Sequence, residues 1–277
     1  MLTVILLLLA AVAACPAEAK EPSREGSCLG AGYVQRLPGG QIDWGSGLIQ
    51  AKGVAEGEGL TAPEAAALAV RNAQDALLRL MRGMVLAGGK TVAAHLQASP
   101  ASAAELANIA RGAQVVERKF YSDGSVEVWA ALCMRGGFLQ LVLPPEVTSI
   151  APLRQVSAVN ARPAGRYTGL VVDARGVGVR PALCPRIVCE DGGEVFGPGL
   201  VSREAAVQSG VAAYGAGMPE PGQEGRAGRQ PLVVRGLNAV GAGRSDIVIG
   251  RADAQRVRSA PESVEFLQHC RVLIVVD

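Results

Sequence analysis

The sequence has few of the residues from which most catalytic and metal sites are built. Only two of its 277 residues are histidines, His95 and His269, and aromatic residues make up 4%. It contains no G-x-S-x-G nucleophile elbow, no H-E-x-x-H zinc motif and no G-x-x-x-x-G-K-S/T phosphate loop. Neither histidine lies at ligand spacing from a cysteine pair or has a recognisable acid partner. We therefore predict a protein that is not an enzyme and that uses neither a metal nor a cofactor.

A large excess of one charge sign is also missing. The 27 basic and 25 acidic residues give a formal net charge of +2. Binding to a phosphate backbone depends on a concentrated positive field, which this balance does not supply. The composition therefore argues against nucleic acid as a partner.

The continuous apolar run at the N-terminus, Met1–Ala14, is too short to span a bilayer, which takes about 20 residues. It is typical of a signal-peptide core. Two cleavage sites compete. The segment Val12–Cys15 has the form of a lipoprotein processing site, which would leave Cys15 as a lipid-carrying first residue, whereas Ala17–Ala19 fits ordinary cleavage. We expect a signal peptide over residues 1–19, or a lipoprotein signal over residues 1–14.

Export would place the remaining cysteines in an oxidising compartment, but their number is odd, so at most two pairs can form. Cys184 and Cys189 are close in sequence and are the candidate disulfide. The alternative is that both are unpaired strand cysteines. The sequence does not decide between the two.

The strongest pattern in the chain is a strand followed by a long helix. Apolar and polar residues roughly alternate over Leu48–Glu56, which predicts a half-buried strand. The segment Thr61–Glu64 is a helix start signal, with proline in the first turn and a glutamate that can reach back to the cap. The helix that follows has an apolar stripe of small residues in its first half, which would let it pack closely on a sheet: Ala65, Ala69, Ala73, Ala76, Leu77, Leu80 and Met84.

The segment joining this strand and helix, Gly57–Ala62, matches the G-x-G-x-x-A dinucleotide pattern. That fingerprint belongs to a parallel strand-helix-strand unit. Here a second helix over Ala101–Arg111 comes next, and then two strands joined by Ser122–Ser125, whose Asp-Gly pair favours a hairpin. We therefore interpret Gly57–Ala62 as a tight corner without a nucleotide.

These patterns predict an α+β protein of two small domains, each a mainly antiparallel sheet packed by one or two helices. Residues 20–40 are expected to be a tether, 41–143 the first domain, 144–166 a linker and 167–277 the second domain. The second domain begins with a strand over Tyr167–Arg175 whose continuous apolar middle favours a buried position. Its Gly- and Pro-rich segment Gly215–Gln230 is predicted to be a surface loop.

The first predicted domain resembles the lipoprotein-20 family and the N-terminal domain of flagellar assembly protein T. The resemblance covers about Gly40–Leu143 and rests on Gly53-x-Ala55 in a strand, the alanine-rich helix, Gly112-Ala113, and a hairpin that ends in Val126–Val128. It implies a non-enzymatic envelope protein, often lipidated, in some members part of the periplasmic ring around the flagellar motor. Cys15 is the one residue that matches a functional position of that family.

The resulting expectation is a bacterial cell-envelope protein in the periplasm, anchored to the outer membrane if Cys15 is lipidated, that acts in assembly or protein–protein contact. Other envelope proteins are its expected partners, and a homo-oligomer is left open. The alternative is a periplasmic module whose second domain binds a cell-wall sugar or small ligand, with Asp173 and Arg175 in a crevice at a strand end. A third hypothesis, an undetected hydrolase, would use Asp173.

Overall fold

The computed structural model describes residues 32–147, 167–220, 222 and 225–277. These residues form two units, 32–147 and 167–277, each built from a β-sheet and helices. The α+β class predicted from the sequence is confirmed. No helix within the described residues is both long and apolar enough to cross a membrane. The predicted signal segment, including Cys15, lies outside the described residues.

The first unit has an antiparallel sheet and a long helix as its frame. Its elements in chain order are β1 (Val34–Leu37), β2 (Gly40–Asp43), β3 (Leu48–Ala55), α1 (Ala62–Gly83), β4 (Val85–Ala87), β5 (Lys90–Thr91), α2 (Val92–Leu96), α3 (Pro100–Arg111), β6 (Gln114–Phe120), β7 (Val126–Cys133) and α4 (Gly137–Val142). The main sheet has the strand order β1-β2-β3-β7-β6, and all its pairs are antiparallel. Strands β4 and β5 pair with each other.

Helix α1 packs across β3 and β7 through the face that the sequence predicts. Ala65, Ala69, Ala73 and Leu77 are fully buried, while the arginines of the opposite face are exposed. At the start of the helix, a carboxylate oxygen of Glu64 accepts hydrogen bonds from the Thr61 N–H at 2.8 Å and from the Thr61 hydroxyl at 2.6 Å. Small side chains on this face let the helix backbone approach the sheet closely.

The hairpin between β6 and β7 is also confirmed. The N–H of Gly124 donates to the carbonyl of Tyr121 at 3.0 Å, and the φ of Gly124 is 80°, a left-handed conformation that glycine adopts without strain. An Asp123 carboxylate oxygen accepts from the N–H of Ser125 at 2.9 Å. The predicted turn residues thus close the turn by local hydrogen bonds.

The boundaries of the first unit differ from those predicted. Strand β1 and the start of β2 lie within residues 20–40, which were expected to be a tether, so the sheet begins earlier than residue 41. Pro38-Gly39, which made this segment resemble a tether, is the turn between the two strands. At the other end, Val147 is buried although it falls in the predicted linker. Residues 148–166 of that linker lie outside the described residues.

The second unit contains a seven-stranded sheet. Its elements are β8 (Gly169–Asp173), β9 (Ile187–Cys189), β10 (Glu194–Phe196), a short 3-10 turn (Pro198–Leu200), α5 (Arg203–Ser209), β11 (Ala213–Gly215), β12 (Pro231–Val240), β13 (Asp246–Ile249), α6 (Arg251–Ser259), α7 (Ser263–Gln268) and β14 (Val272–Val275). The strand order is β10-β9-β13-β12-β8-β14-β11. Residues Leu170–Val172 of β8 are fully buried, as their continuous apolar run predicts.

This second sheet is mixed, whereas the sequence pattern predicted a mainly antiparallel one. The pairs β9–β13, β12–β8, β8–β14 and β14–β11 are parallel, and β10–β9 and β12–β13 are antiparallel. Parallel neighbours require crossover connections, which helices commonly supply. Helix α5 lies in such a connection, from β10 to β11, which run in the same direction at the two edges of the sheet. Helices α6 and α7 instead connect β13 to β14, which lie three strands apart and run in opposite directions.

The two units share one continuous hydrophobic core. Backbone hydrogen bonds also join them: the N–H of Leu183 donates to the carbonyl of Val85 at 2.9 Å, and the N–H of Cys184 donates to that of Leu86 at 2.7 Å. The ring of Tyr214 lies edge-on to that of Trp44, with centroids 5.5 Å apart. The two predicted domains therefore correspond to two separate sheets, but these sheets share one hydrophobic core.

Candidate contact surface

Strand β6 forms an edge of the first sheet and carries the most exposed aromatic side chain of the structure's described residues. Phe120 is 62% exposed, Val116 52%, and Tyr121, directly after the strand, 48%. Helix α1 packs over β3 and β7, and β6 extends beyond them at the sheet edge. Exposed apolar groups on an open strand edge make β6 a candidate contact surface.

A β-bulge at Val116 gives β6 its irregular surface. Val115 pairs with Ala130 and Glu117 with Trp129, so Val116 is the extra residue between them. A bulge bends and twists its strand and changes the direction of the side chains beside it. The bulge thus lies in the first half of β6, four residues before Phe120, and its extra residue Val116 is exposed.

The outer face of the same sheet carries a ladder of opposite charges. Nζ of Lys119 lies 3.1 Å from a Glu117 carboxylate oxygen, and Nζ of Lys52 lies 3.1 Å from one of Glu127. Lys119 and Glu127 are paired across β6 and β7. The hydrogen bond to Lys52 holds the pKa of Glu127 below its usual range, and the hydrogen bond to Glu117 raises the pKa of Lys119. Glu127 and Lys119 therefore stay charged at neutral pH.

A cleft of about 580 Å³ lies between the two units. Both units contribute ionisable residues to its lining: Lys90, His95, Glu146, Arg186 and Glu194. Burial lowers the pKa of His95, and Lys90 lowers it further, while Glu146 opposes the shift. His95 is therefore neutral at pH 7, and the cleft can offer hydrogen-bond donors and charges of both signs to a polar ligand.

Arg186 is fixed in this cleft by a buried acid. Its Nη2 and Nε lie 2.7 and 3.2 Å from Oδ2 of Asp246, which is only 4% exposed. The hydrogen bond to Asp246 raises the pKa of the Arg186 guanidinium. The other carboxylate oxygen of Asp246 has no hydrogen-bond partner among the described residues. Arg186 is thus oriented by an ion pair and is not a mobile surface cation.

The candidate disulfide between Cys184 and Cys189 is not formed, and both residues are buried free thiols. The extended backbone of β9 advances about 3.3 Å per residue, which carries Cys189 away from Cys184. Burial raises the pKa of Cys184 to about 12. The structure thus agrees with the alternative interpretation in that both cysteines are unpaired, but only Cys189 lies in a strand.

The structure does not bring the other predicted polar residues into one site. Asp173 and Arg175 form an ion pair, with Nε and Nη2 of the arginine 2.8 and 2.7 Å from the two carboxylate oxygens. The two charged groups therefore bind each other instead of being directed at a ligand. Nδ1 of His269 lies 2.8 Å from the backbone carbonyl of Glu265. In the part of the chain that the structure describes, no group of three or more His, Cys, Asp or Glu side chains is arranged to hold a metal.

The predicted surface loop Gly215–Gln230 is attached to the second unit by Arg226. Its Nε donates to the carbonyl of Cys270 at 2.6 Å, and its terminal nitrogens donate to the carbonyls of Ser209 and Gly210. Ala227 is buried beside it. This part of the loop is therefore packed and not available as a free contact surface.

The apolar edge of β6 was not predicted from the sequence, although one signal was present. Phe120 and Tyr121 are adjacent, and neighbouring strand residues point to opposite faces, so both cannot face the core. The Asp-Gly turn predicts that β6 belongs to a hairpin, but it does not show which of the two hairpin strands pairs with a further strand and which is left at the sheet edge. Tyr214, by contrast, is fully buried.

Comparison with known proteins bears on the second unit alone. A protein-family model described as "Treponema pallidum Tp0624, second domain" matches residues 169–277. The match begins at the first residue of β8 and covers the whole seven-stranded sheet. A search of curated proteins found no match. The resemblance of residues 40–143 to the lipoprotein-20 family stays a prediction, and what the comparisons add is that residues 169–277 are similar to the second domain of Tp0624.

Proposed function

We propose that this protein is a non-enzymatic component of the bacterial cell envelope that acts in assembly through protein–protein contact. The observation that carries the proposal is the open edge of β6 with its exposed Val116, Phe120 and Tyr121. Strand addition at a sheet edge provides affinity through backbone hydrogen bonds and specificity through side chains. The partners are envelope proteins, and flagellar or outer-membrane assemblies fit the resemblance of the first unit.

The proposed localisation is the periplasm, where a lipid on Cys15 would anchor the protein to the outer membrane. The support is the apolar run that ends at Cys15. We expect labelled palmitate to enter the wild-type protein in growing cells and not the Cys15→Ser variant. An ordinary signal peptide would instead give unlabelled protein in both cases, with cleavage after Ala19 shown by the mass of the mature chain.

Contact through β6 can be tested by replacing single residues with a photo-cross-linking phenylalanine analogue in cells. Phe120 on the β6 edge is the test position, and Val264 on α7, 52% exposed, is the matched control position. We expect a discrete cross-linked envelope product from position 120 and none from position 264. The same product from both positions, or from neither, would count against β6 as the contact surface.

A second candidate function is binding of a polar small ligand such as a cell-wall sugar. The cleft of about 580 Å³ that contains Lys90, His95 and Arg186 favours it. Polar groups that converge in a cleft of this size are typical of ligand sites. Because both units line the cleft, binding must be measured on the full chain. Saturable binding of muropeptides that Lys90→Ala weakens would support this function over the first.

A further inference from the structure

The backbone of β6 leaves specific groups free to pair with another strand. The N–H of Tyr121 donates to the carbonyl of Ser125 across the hairpin. In an antiparallel pair, hydrogen-bonding groups alternate between the two sides of the strand. The N–H and C=O groups of Phe120 and Arg118 are therefore directed away from β7, toward the open edge of the sheet.

We propose that the partner at this edge is a second copy of the chain, whose β6 pairs antiparallel with the first around a two-fold axis at Arg118. The inference rests on the proposed contact function of β6 and names its partner. A two-fold contact uses the same surface on both copies, so that surface must be complementary to itself. The two five-stranded sheets would join into one of ten strands.

Each of three neighbouring registers places one pair of like charges on the two-fold axis, and this register is favoured because it alone adds two pairs of opposite charge. With Arg118 opposite Arg118 of the second copy, Glu117 faces Lys119 of the second copy, and Lys119 faces Glu117. A shift of two residues in one direction places Lys119 against Lys119, and a shift in the other places Glu117 against Glu117. Opposite charges directly across two strands stabilise the pair and like charges destabilise it. Both side chains are about half exposed, so each can exchange its present ion pair for one with the neighbouring strand.

The apolar groups of β6 agree with the same register. It brings Phe120 to the bulged part of β6 in the second copy, where Val116 is also exposed. The two Arg118 side chains meet at the axis and repel each other. Each also lies diagonally across from Phe120 of the second copy, whose ring can accept a guanidinium on its face.

The test is a charge-exchange experiment followed by sedimentation equilibrium. It uses the full chain with Cys15→Ser, which prevents lipid attachment, at concentrations up to roughly 1 mM. We expect the parent to dimerise, and Glu117→Lys or Lys119→Glu alone to weaken self-association by about tenfold or more.

An equimolar mixture of the two single variants should dimerise again. In the mixed pair, the introduced lysine of one variant faces the introduced glutamate of the other, and the remaining Lys119 faces the remaining Glu117. Both cross-strand contacts are then between opposite charges, as in the parent. Thermal unfolding of each variant is measured alongside as a check on folding.

A parent chain that stays monomeric, or single variants that associate as well as the parent, would overturn the second copy as partner. So would a mixture that fails to associate while both variants remain folded. These results leave the contact function itself separately testable. If position 120 still cross-links to a different envelope protein, that result supports the proposed contact function and excludes the second copy as the partner. If the chain neither self-associates nor cross-links from position 120, both the dimer and the proposed contact function are excluded.

Discussion

Replacing Gly53 by alanine is expected to lower the free energy of unfolding by about 3 kcal/mol, the upper part of the usual range for overpacked sites. A Cβ at this position would lie 2.2 Å from the carbonyl oxygen of Ala69 and 2.2 Å from the backbone nitrogen of Ala73. Both atoms belong to the backbone of α1, so no side-chain rotation can relieve the clash. The helix would have to move away from β3, which loosens the buried alanine face.

The matched control is Gly83→Ala. Gly83 is the last residue of α1, and a Cβ there meets no atom within 4 Å. Because alanine restricts the unfolded chain more than glycine does, stability should be unchanged or rise by up to about 1 kcal/mol. Urea denaturation of both variants gives the comparison. Equal stabilities for Gly53→Ala and Gly83→Ala would contradict the close helix–sheet approach.

Truncation of Tyr214 is expected to have the second large effect. Tyr214 is fully buried between the two units, and its ring packs against Trp44. Its hydroxyl accepts a hydrogen bond from the N–H of Ala182 at 3.0 Å and donates one to the carbonyl of the same residue at 3.1 Å. We expect Tyr214→Ala to cost about 3–5 kcal/mol, as for other large buried aromatic residues.

The hydroxyl contribution can be separated with Tyr214→Phe. This change keeps the ring but leaves the N–H and C=O of the buried Ala182 without a partner, at a cost of about 1–3 kcal/mol. Burial raises the pKa of the Tyr214 hydroxyl, so it stays protonated and able to donate throughout the neutral range. Tyr121→Phe, at a half-exposed position, should change stability by less than about 0.5 kcal/mol.

Both Tyr214 variants also report on how the units are coupled. The carbonyl of Tyr214 accepts from the N–H of Tyr33 at 3.1 Å, and its N–H donates to the carbonyl of Trp44 at 3.4 Å. We expect Tyr214→Ala to increase amide hydrogen exchange in β1 and β2 as well as in β11. Faster exchange confined to the second unit would mean that the two sheets are held together mainly by other contacts.

The elements that the sequence predicted well are those with a strong local signal. Helix α1 was predictable because its small apolar residues recur with helical spacing after Thr61–Glu64, and the β6–β7 hairpin because Asp123-Gly124 can close a turn by local bonds. Strand β8 was predictable because it is apolar throughout. In each case, neighbouring residues contain all the information that the element needs.

The elements that the sequence did not predict depend on distant partners. Strand β1 has only four residues, two of them polar, and it is held in place because β2 pairs with it and the backbone carbonyl of Tyr214 accepts from the N–H of the adjoining Tyr33. The mixed strand order of the second sheet depends on connections that pass over intervening strands, such as the one through α6 and α7 from β13 to β14. The pairing of Arg186 with Asp246 joins residues 60 positions apart. No local pattern encodes these arrangements.

The sequence by itself determined the α+β class, the alanine-lined packing of α1, the lack of a strong positive field and the signal-like N-terminal run, since each follows from composition or from spacing within a few residues. Only the tertiary structure decided that the two sheets share a core, that Cys184 and Cys189 stay apart, and that β6 is left uncovered. Those outcomes depend on which surfaces meet after folding, and burial is a property of the whole chain.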